Sequence, residues 1–246
     1  MRVVSLHADV LLATSAIWQT NCVIVRGAAP DPDNPVEVRI AGEPDLGAET
    51  FVIDSPVLPE ELDALPALLR QTGFPAPSGL LATHADWDHL LGRLAFPEAA
   101  LGCAISTAQR LSAEPGAAQR ELRAFDRQFY VERSRPLMLG SVQALDVPGQ
   151  CEIGLHELQL HQADGHTKDG MAIWLDWAKV LVVGDYLSKV EAPQVEGPKD
   201  AYIATLERLR PLVELAEYVV PGHGPVLRGA RALEVLEENR ALVAGM

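Results

Sequence analysis

Two histidines and two aspartates are crowded into one short stretch of the chain, LATHADWDHLLG at positions 81–92. They are His84, Asp86, Asp88 and His89, and apolar residues stand on both sides of them. Imidazoles and carboxylates coordinate metal ions and transfer protons, and clustering them without a cation costs several kcal/mol. The spacing therefore favours a metal-binding or acid–base site over a purely structural role.

Three more polar side chains follow apolar runs at turns that contain glycine: His166 in DGHT, Asp185 in VGDYLS and His223 in PGHG. Polar groups at the carboxyl ends of strands are how α/β scaffolds build a site at one edge of a sheet. A single residue of this kind is usually only a turn former or a cap. Together with the first stretch, the three motifs form a strong joint signal. The other histidines lack this context, and we interpret them as structural or exposed: His7, His156 and His161.

The elements that must position these residues are short strands and a few helices. Runs rich in Val, Ile and Leu predict strands at 22–26, 51–54, 79–83, 142–147, 155–160, 171–176, 179–183 and 217–220. The sixth and seventh of these runs are close enough to form a hairpin. Apolar periodicity predicts helices near 117–133, 202–213 and 230–244, with Asp200 as a candidate N-cap of the second.

The stretch 28–47 is rich in Pro, Gly and Asp, and it predicts a long loop or a loop carrying a short hairpin through Val36–Ile40. Elsewhere strands lead and helices are interspersed, so the predicted class is α/β or α+β. A chain of 246 residues is within the range of one such domain, and we expect a single domain over residues 1–246.

The composition argues against several classes of protein. An apolar content of 48% with 22% charged residues is typical of a soluble globular chain. The net charge of −14 argues against a nucleic-acid partner, which requires a basic surface. Six arginines do gather in one segment, but acidic residues are interleaved with them, which favours a solvated helix face. These are Arg110, Arg120, Arg123, Arg127, Arg133 and Arg135.

Cysteine usage and the apolar runs favour a cytoplasmic location. Cys22, Cys103 and Cys151 show neither a zinc-binding spacing nor a disulfide framework. The first residues make a poor signal peptide, and no apolar run approaches the roughly 18 residues that a membrane span needs. We therefore expect a soluble cytoplasmic protein with a small-molecule substrate and no membrane partner, and the sequence leaves its oligomeric state open.

The motifs THADWDH, DGHT, VGDYLS and PGHG, in this order and at these spacings, resemble the metallo-β-lactamase superfamily. The pattern of that family is HxHxDH, followed by a lone His, a bridging Asp and a last His. The resemblance covers nearly the whole chain, including TNCVIV at 20–25 and FVIDSP at 51–56. It implies a four-layer αββα sandwich, with two facing sheets between outer helices, and a site for two divalent ions at one edge. Zn, Mn and Fe are the candidate metals.

Carried over position by position, the resemblance also implies a ligand set. The first ion would be held by His84, residue 86 and His166, and the second by Asp88, His89 and His223. Asp185 would bridge both ions. Two such ions can share a hydroxide, and Asp88 would orient this nucleophile and take its proton. Thr83 and Thr167 are candidates to fix the orientation of the ligands.

Asp86 departs from the family pattern, which has histidine there. One interpretation is that Asp86 is not a ligand and the first metal is weak or absent. The other is that Asp86 is a direct oxygen ligand, which makes the site more anionic and tilts its preference from zinc towards manganese or iron. A carboxylate at this position also occurs in the flavodiiron branch, as HxExDH, where a di-iron core does redox chemistry.

The sequence therefore leaves three functions open. We favour a metal-dependent hydrolase of a small ester, thioester, lactone or related substrate, since no flavodoxin-like domain follows the last motif. A di-iron redox protein and a metal-binding relative without catalysis are the alternatives. The segment 104–140 is expected to line or cover the pocket, and the candidates for substrate contact are Arg123, Arg127, Tyr130 and, after the bridging aspartate, Lys189.

Overall fold

The computed structural model describes residues 1–28 and 48–246. The hairpin predicted through Val36–Ile40 lies outside these residues. Twelve strands are described: β1 Arg2–His7, β2 Val10–Thr14, β3 Asn21–Gly27, β4 Glu49–Ile53, β5 Gly79–Ala82, β6 Ala100–Ala104, β7 Val142–Leu145, β8 Gly149–Ile153, β9 His156–Gln162, β10 Met171–Leu175, β11 Val180–Val182 and β12 Tyr218–Val220. The described α-helices are α1 Pro59–Thr72, α2 Gly92–Ala95, α3 Ile105–Ala113, α4 Ala117–Phe129, α5 Lys199–Leu215 and α6 Gly229–Gly245.

The strands form two sheets. The first has the order β1-β2-β3-β4-β5-β6-β7, antiparallel from β1 to β4 and parallel from β4 to β7. The second has the order β12-β11-β10-β9-β8, in which β11 and β12 are parallel and the other neighbours antiparallel. The carboxyl ends of β4 and β5 therefore share one sheet edge, and those of β11 and β12 share another.

Alternating side chains along the strands separate three hydrophobic cores. In β2, Val10 and Leu12 pack between the two sheets, while Leu11 and Ala13 pack against the helices α1, α2 and α4. In β10, Ile173 faces the space between the sheets, and its neighbours on the other face pack against α5 and α6. A sheet with two buried faces requires this arrangement, because successive side chains point to opposite faces. The layers are thus helix, sheet, sheet and helix, and the predicted αββα architecture is confirmed.

The ends of the helices follow local chemistry. α1 begins with Pro59, whose fixed φ suits the first turn, and stops at Gly73, which has a φ of 74°. α4 stops at Tyr130, whose φ of 55° is left-handed, so its last residue, Phe129, precedes the predicted end near 133. The predicted cap of α5 is wrong: Asp200 lies within its first turn, and Pro198 occupies the N-cap position.

Every predicted strand overlaps an observed one, and the predicted hairpin is the antiparallel pair β10–β11. The sequence interpretation omitted four strands, β1, β2, β6 and β8, and the helices α1, α2 and α3. In the part of the chain that the structure describes, no helix has the length and apolar character needed to cross a bilayer.

Candidate metal centre

The polar motifs lie in connections at the ends of strands, where the two sheets meet. The HADWDH stretch follows β5, His166 lies between β9 and β10, Asp185 follows β11, and His223 follows β12. Backbone hydrogen bonds join these connections both between the two sheets and within the second sheet. The N–H of Met171 donates to the carbonyl of Thr83 at 2.8 Å, and the N–H of Gly222 donates to the carbonyl of Gly184. Distant parts of the sequence are therefore held at one end of the sandwich.

One group of side chains contains His84, Asp86 and His166, whose ligand atoms lie within 4.8 Å of one another. The Oδ2 atom of Asp86 is 3.5 Å from the Nε2 atom of His84 and 3.5 Å from the Nε2 atom of His166. The Oδ2 atom of Asp185 lies 3.8 Å and 3.4 Å from the same two nitrogens. This is a set of two imidazoles and two carboxylates around one point.

A second group contains Asp88, His89 and His223. The Oδ2 atom of Asp88 is 3.7 Å from the Nε2 atom of His89 and 3.3 Å from the Nε2 atom of His223. Asp185 again completes the set, with Oδ1 at 3.2 Å from His89 and Oδ2 at 3.5 Å from His223. The structure therefore brings all seven predicted residues together, and Asp185 contacts both groups.

The outer nitrogen of each imidazole has its own hydrogen-bond partner. The Nδ1 atom of His84 lies 3.0 Å from Thr83 Oγ1, and that of His223 lies 3.2 Å from Thr20 Oγ1. The Nδ1 atom of His166 donates to the carbonyl of Gln194 at 3.1 Å. These contacts turn all four Nε2 atoms towards the centre, as outer partners do around metal-bound histidines.

The fourth imidazole, His89, depends on Asp54, a buried residue that the sequence interpretation did not select. Asp54 Oδ2 is 3.0 Å from His89 Nδ1 and accepts the hydroxyl of Thr83 at 2.9 Å. Its other oxygen accepts the N–H of Thr83 at 2.8 Å. Asp54 follows an apolar strand, β4, just as the recognised motifs follow theirs, and that placement was the signal available in the sequence.

Of the two threonines predicted to fix the orientation of the ligands, one contacts a candidate ligand and the other does not. Thr83 contacts His84 directly, as described above. Thr167 instead donates its hydroxyl to the backbone carbonyl of Asp169 at 3.0 Å, so it orders the loop of His166 and contacts no candidate ligand through this bond.

The inner atoms of the cluster are suited to a cation. The Nε2 atoms of His84, His89 and His166 and the Oδ1 atom of Asp185 are buried and make no hydrogen bond with the described residues. Buried polar atoms without partners are costly, and bound cations would satisfy all four. Neutral imidazoles and carboxylates are ligands that Zn, Mn and Fe accept. The residues present therefore fit the metal ions that the sequence predicts.

The electrostatics of the cluster without bound cations point the same way. Burial opposes charge on His223, but Asp185 and Asp88 outweigh it and raise its pKa to about 10. Burial likewise opposes the charge of Asp185, and His89 and the neighbouring histidines nevertheless hold its pKa well below the ordinary value. Positive charge is therefore stabilised at these positions, and metal ions compete with protons for such ligands.

Asp86 is held from its other side by an arginine. The Nη1 atom of Arg110 lies 2.9 Å from Asp86 Oδ1 and 2.9 Å from Asp169 Oδ1. Burial alone would raise the pKa of Asp86, but the nearby imidazoles of His166 and His84 and the charge of Arg110 lower it below its usual range. The prediction that the arginine-rich segment is a solvated face is therefore wrong for Arg110, and also for Arg133, whose side chain is buried against Asp126.

A cavity of about 520 Å³ opens over the cluster. The lining residues are Ala16, Trp18, Gln19, Asp86, Asp88, His166, Asp185, Val190, Glu191, Gln194 and His223. Glu191 brings a carboxylate within 4.8 Å of ligand atoms of Asp185 and His223. Burial and the surrounding carboxylates raise the pKa of Glu191, although His223 and His166 oppose this shift. Sequence reasoning did not select Glu191, which stands in a connection without a recognisable motif.

The four residues predicted to contact the substrate lie outside the lining of this cavity. Tyr130 is 93% exposed at the end of α4, and Arg123 and Arg127 are exposed on the same helix. Lys189 pairs with Glu238 of α6 at 2.7 Å. None of these four side chains is among the described residues that line the cavity. The aromatic residue that does reach it is Trp18, whose ring packs against Phe125 of α4 at a centroid distance of 5.1 Å.

Comparisons with known proteins agree with this geometry. Residues 47–223 match the family model described as the metallo-beta-lactamase superfamily. A metallo-beta-lactamase family protein from Thermus thermophilus is 20% identical, with 96% of this chain and 80% of that chain covered and a TM-score of 0.69. A metallo-beta-lactamase from Pontibacter korlensis is 15% identical, with coverage of 100% and 99% and a TM-score of 0.67. The DIM-1 metallo-beta-lactamase is 17% identical, with coverage of 99% and 97% and a TM-score of 0.64. The search of curated proteins found no match.

Proposed function

Since the chain belongs to the metallo-β-lactamase superfamily, we propose that it is a binuclear metal-dependent hydrolase of a small ester, thioester, lactone or related substrate. One observation carries this proposal: two groups of imidazole and carboxylate ligands lie side by side and share Asp185. A single metal site would need only one such group. Two groups with a common carboxylate are the arrangement that a pair of ions requires.

We assign His84, Asp86 and His166 to one ion, Asp88, His89 and His223 to the other, and Asp185 to both. When bound, two divalent ions supply a nucleophilic hydroxide at neutral pH and polarise the acyl oxygen under attack. Three of the seven ligands are carboxylates, so the site is harder and more anionic than one with histidine at position 86. This favours manganese or iron over zinc.

Asp88 is the candidate catalytic residue of the chain itself. It lines the cavity, and its Oδ2 atom faces His223 and His89. From this position its carboxylate can orient the attacking water, accept its proton and return that proton to the leaving group.

The charge of the cavity supports a substrate without a negative group near the reacting bond. Among the described lining residues there is no lysine or arginine, and Glu191 adds a carboxylate beyond the ligand set. Two divalent ions would offset the three ligand carboxylates, so Glu191 is the negative charge that remains, and an anionic group of a substrate beside it would meet no cationic side chain among these lining residues. The ring of Trp18 provides an apolar wall. These features favour an uncharged ester, thioester or lactone.

A di-iron redox protein is the second candidate, and the carboxylate at position 86 is the observation that favours it. The two functions predict different behaviour of the iron-loaded protein. A redox protein consumes O₂ in the presence of a reductant and changes its optical spectrum, whereas a hydrolase turns over esters or lactones without a reductant. A relative without catalysis would do neither after loading with Mn, Fe or Zn.

Metal analysis of protein purified without added metal tests the proposal. We expect two ions per chain in the wild type, one in Asp86→Ala and two in Asp86→His. His161→Ala is the matched control, because His161 lies in β9 outside both groups. Hydrolysis of an ester and lactone panel should follow the metal content. Two retained ions in Asp86→Ala would show that Asp86 is not a ligand, and inactivity of the fully loaded wild type on the panel would exclude this substrate class.

A further inference from the structure

We infer that Arg110, anchored by Asp169, is the positioning residue that allows a carboxylate to serve as the metal ligand at position 86. The inference rests on the proposed function, in which Asp86 is a direct ligand. It assigns a role to Arg110 and Asp169, which belong to neither group of candidate ligands.

The two oxygens of Asp86 face different partners. Oδ2 points at the Nε2 atoms of His84 and His166, each 3.5 Å away. Oδ1 is held by the Nη1 atom of Arg110 at 2.9 Å. A carboxylate side chain can rotate and can offer both oxygens to one ion. With Oδ1 paired to a cation, only Oδ2 is directed to the first metal position, in the place that one imidazole nitrogen would otherwise take.

Arg110 is itself fixed by a residue of the DGHTKDG stretch. Its Nη1 atom lies 2.9 Å from Oδ1 of Asp169, which is only 2% exposed. The other oxygen of Asp169 accepts the backbone N–H of Ala85 at 3.0 Å. Ala85 stands between His84 and Asp86, so Asp169 holds both the arginine and the backbone that carries the ligands. The chain of contacts therefore couples α3 to the connections that follow β5 and β9.

The positive charge of Arg110 gives this residue a second role beside Asp86. Aspartate at position 86 adds one negative charge to the ligand set, and burial of an unpaired charge is costly. Arg110 is 23% exposed and carries the compensating charge on the side of Asp86 that faces away from the histidines. With a neutral imidazole at position 86 the arginine would have no anionic partner there, and its charge would only repel a bound cation. The benefit of Arg110 should therefore depend on which residue stands at position 86.

This dependence is the basis of the test, a double-mutant cycle on metal affinity. Wild type, Arg110→Gln, Asp86→His and the double variant are titrated with Mn²⁺ and Zn²⁺ against a chelating indicator, so that both binding steps are measured. Outer partners of metal ligands change metal affinity about 10–100-fold. We expect Arg110→Gln to weaken binding at the first site by about this factor. In the Asp86→His background the same replacement should leave first-site affinity unchanged or raise it.

The second site provides an internal control, since Asp88, His89 and His223 do not contact Arg110. Its affinity should stay within about threefold in Arg110→Gln. Because Arg110→Gln leaves the buried Asp169 without its cation, Arg110→Gln/Asp169→Asn removes both charges and serves as a second variant. It should show the same selective loss at the first site. Absorption of the Co²⁺-loaded proteins reports coordination independently and should change for the first-site ion only.

Each result decides the inference. Equal losses at both sites, or the same loss in the Asp86→His background, would make Arg110 a merely structural residue and overturn it. Unchanged affinity in Arg110→Gln overturns it while the proposed function stands, provided that Asp86→Ala loses one ion. If Asp86→Ala keeps both ions, the ligand assignment of Asp86 fails, and the inference fails with it.

Discussion

Replacement of Asp54 by asparagine is expected to weaken both metal sites at once, although Asp54 is not a ligand. A carboxylate only accepts hydrogen bonds, so both Nδ1 of His89 and the hydroxyl of Thr83 must donate to Asp54 Oδ2. Because the Thr83 hydrogen is used in this way, Thr83 Oγ1 accepts a hydrogen bond from the Nδ1–H group of His84. One carboxylate thus sets the tautomer of one histidine in each metal group and leaves both Nε2 lone pairs free for a cation.

Asparagine has nearly the same shape as aspartate, but it reverses the direction of the hydrogen bonds at this oxygen position. Its carbonyl must stay opposite the N–H of Thr83, which donates at 2.8 Å in the wild type. The amide NH₂ then takes the place of Oδ2 and donates to His89 and to the Thr83 hydroxyl. Both histidines are driven to the tautomer with hydrogen on Nε2, where the metal should bind.

The magnitude follows from the number of ligands affected. Loss of an outer partner costs about 10–100-fold in metal affinity. This corresponds to about 1.4–2.8 kcal/mol at each site, since tenfold in affinity is about 1.4 kcal/mol. Asp54→Asn affects one ligand of each site, so both binding steps should weaken by this amount. Thr83→Val preserves shape and removes the hydroxyl contacts with His84 and Asp54, but it leaves the contact of Asp54 with His89 in place, so it should weaken the first step and spare the second.

Chelator competition with Mn²⁺ or Zn²⁺ measures both steps, and circular dichroism of the metal-free proteins checks that they remain folded. Asp176→Asn is the matched control, because Asp176 is exposed and pairs with Lys179, far from both metal groups. Affinities within about threefold of the wild type at both sites in Asp54→Asn would refute the argument from tautomers. A loss of the second step in Thr83→Val would show that the two sites are not separable in this way.

Three further predictions concern other parts of the molecule. Gly222→Ala should reduce metal binding at both sites, because a Cβ atom would lie 2.0 Å from Asp185 Oδ1, whereas Gly197→Ala, with open space around it, should bind as the wild type does. Glu191→Gln should raise kcat/KM for a carboxylate-bearing ester relative to its neutral analogue by about fivefold, the effect of about 1 kcal/mol of charge repulsion; an unchanged ratio would place the substrate elsewhere. Glu61 is 3% exposed and accepts hydrogen bonds from Ser15 and Ala16, and these outweigh its burial and lower its pKa. Glu61→Gln should therefore reduce the free energy of unfolding by about 1–3 kcal/mol at neutral pH. Since a lowered pKa stabilises the fold above the unfolded value of about 4.3, this deficit should shrink as pH falls below it, and a deficit independent of pH would contradict the assignment.

The sequence predicted the parts of the fold that follow from local patterns. Short apolar runs located eight strands, and four polar motifs at strand ends identified seven residues that the structure brings together. Whether these residues bind two metal ions stays a prediction, as does the assignment of residues 1–246 to one domain. The strands β1, β2, β6 and β8 were omitted, because runs such as VLLAT carry no turn signal or polar motif that distinguishes them from other buried segments.

The residues that sequence reasoning missed act through partners distant in the chain. Asp54 is 35 positions from His89, and Asp169 is 84 positions from Ala85. Neither pairing has a spacing rule, because each depends on how the strands order themselves in the sheets. The prediction that Arg110 lies on a solvated helix face was wrong for the same reason. Interleaved charges indicate a solvated helix when contacts are local, but here the partners of the arginine come from two other connections.

The aspartate at position 86 shows what contact geometry adds to a motif. In the sequence it is a departure that leaves two interpretations open, a lost metal or a changed one. In the structure its two oxygens are divided between the histidines of one group and a fixed arginine. A position that had merely lost its ligand would not need the partly buried Arg110–Asp169 pair directed at it, because desolvating charged groups is costly. The pairing therefore favours a changed metal site, in which an anionic ligand with its own counter-charge stands where the family pattern has histidine.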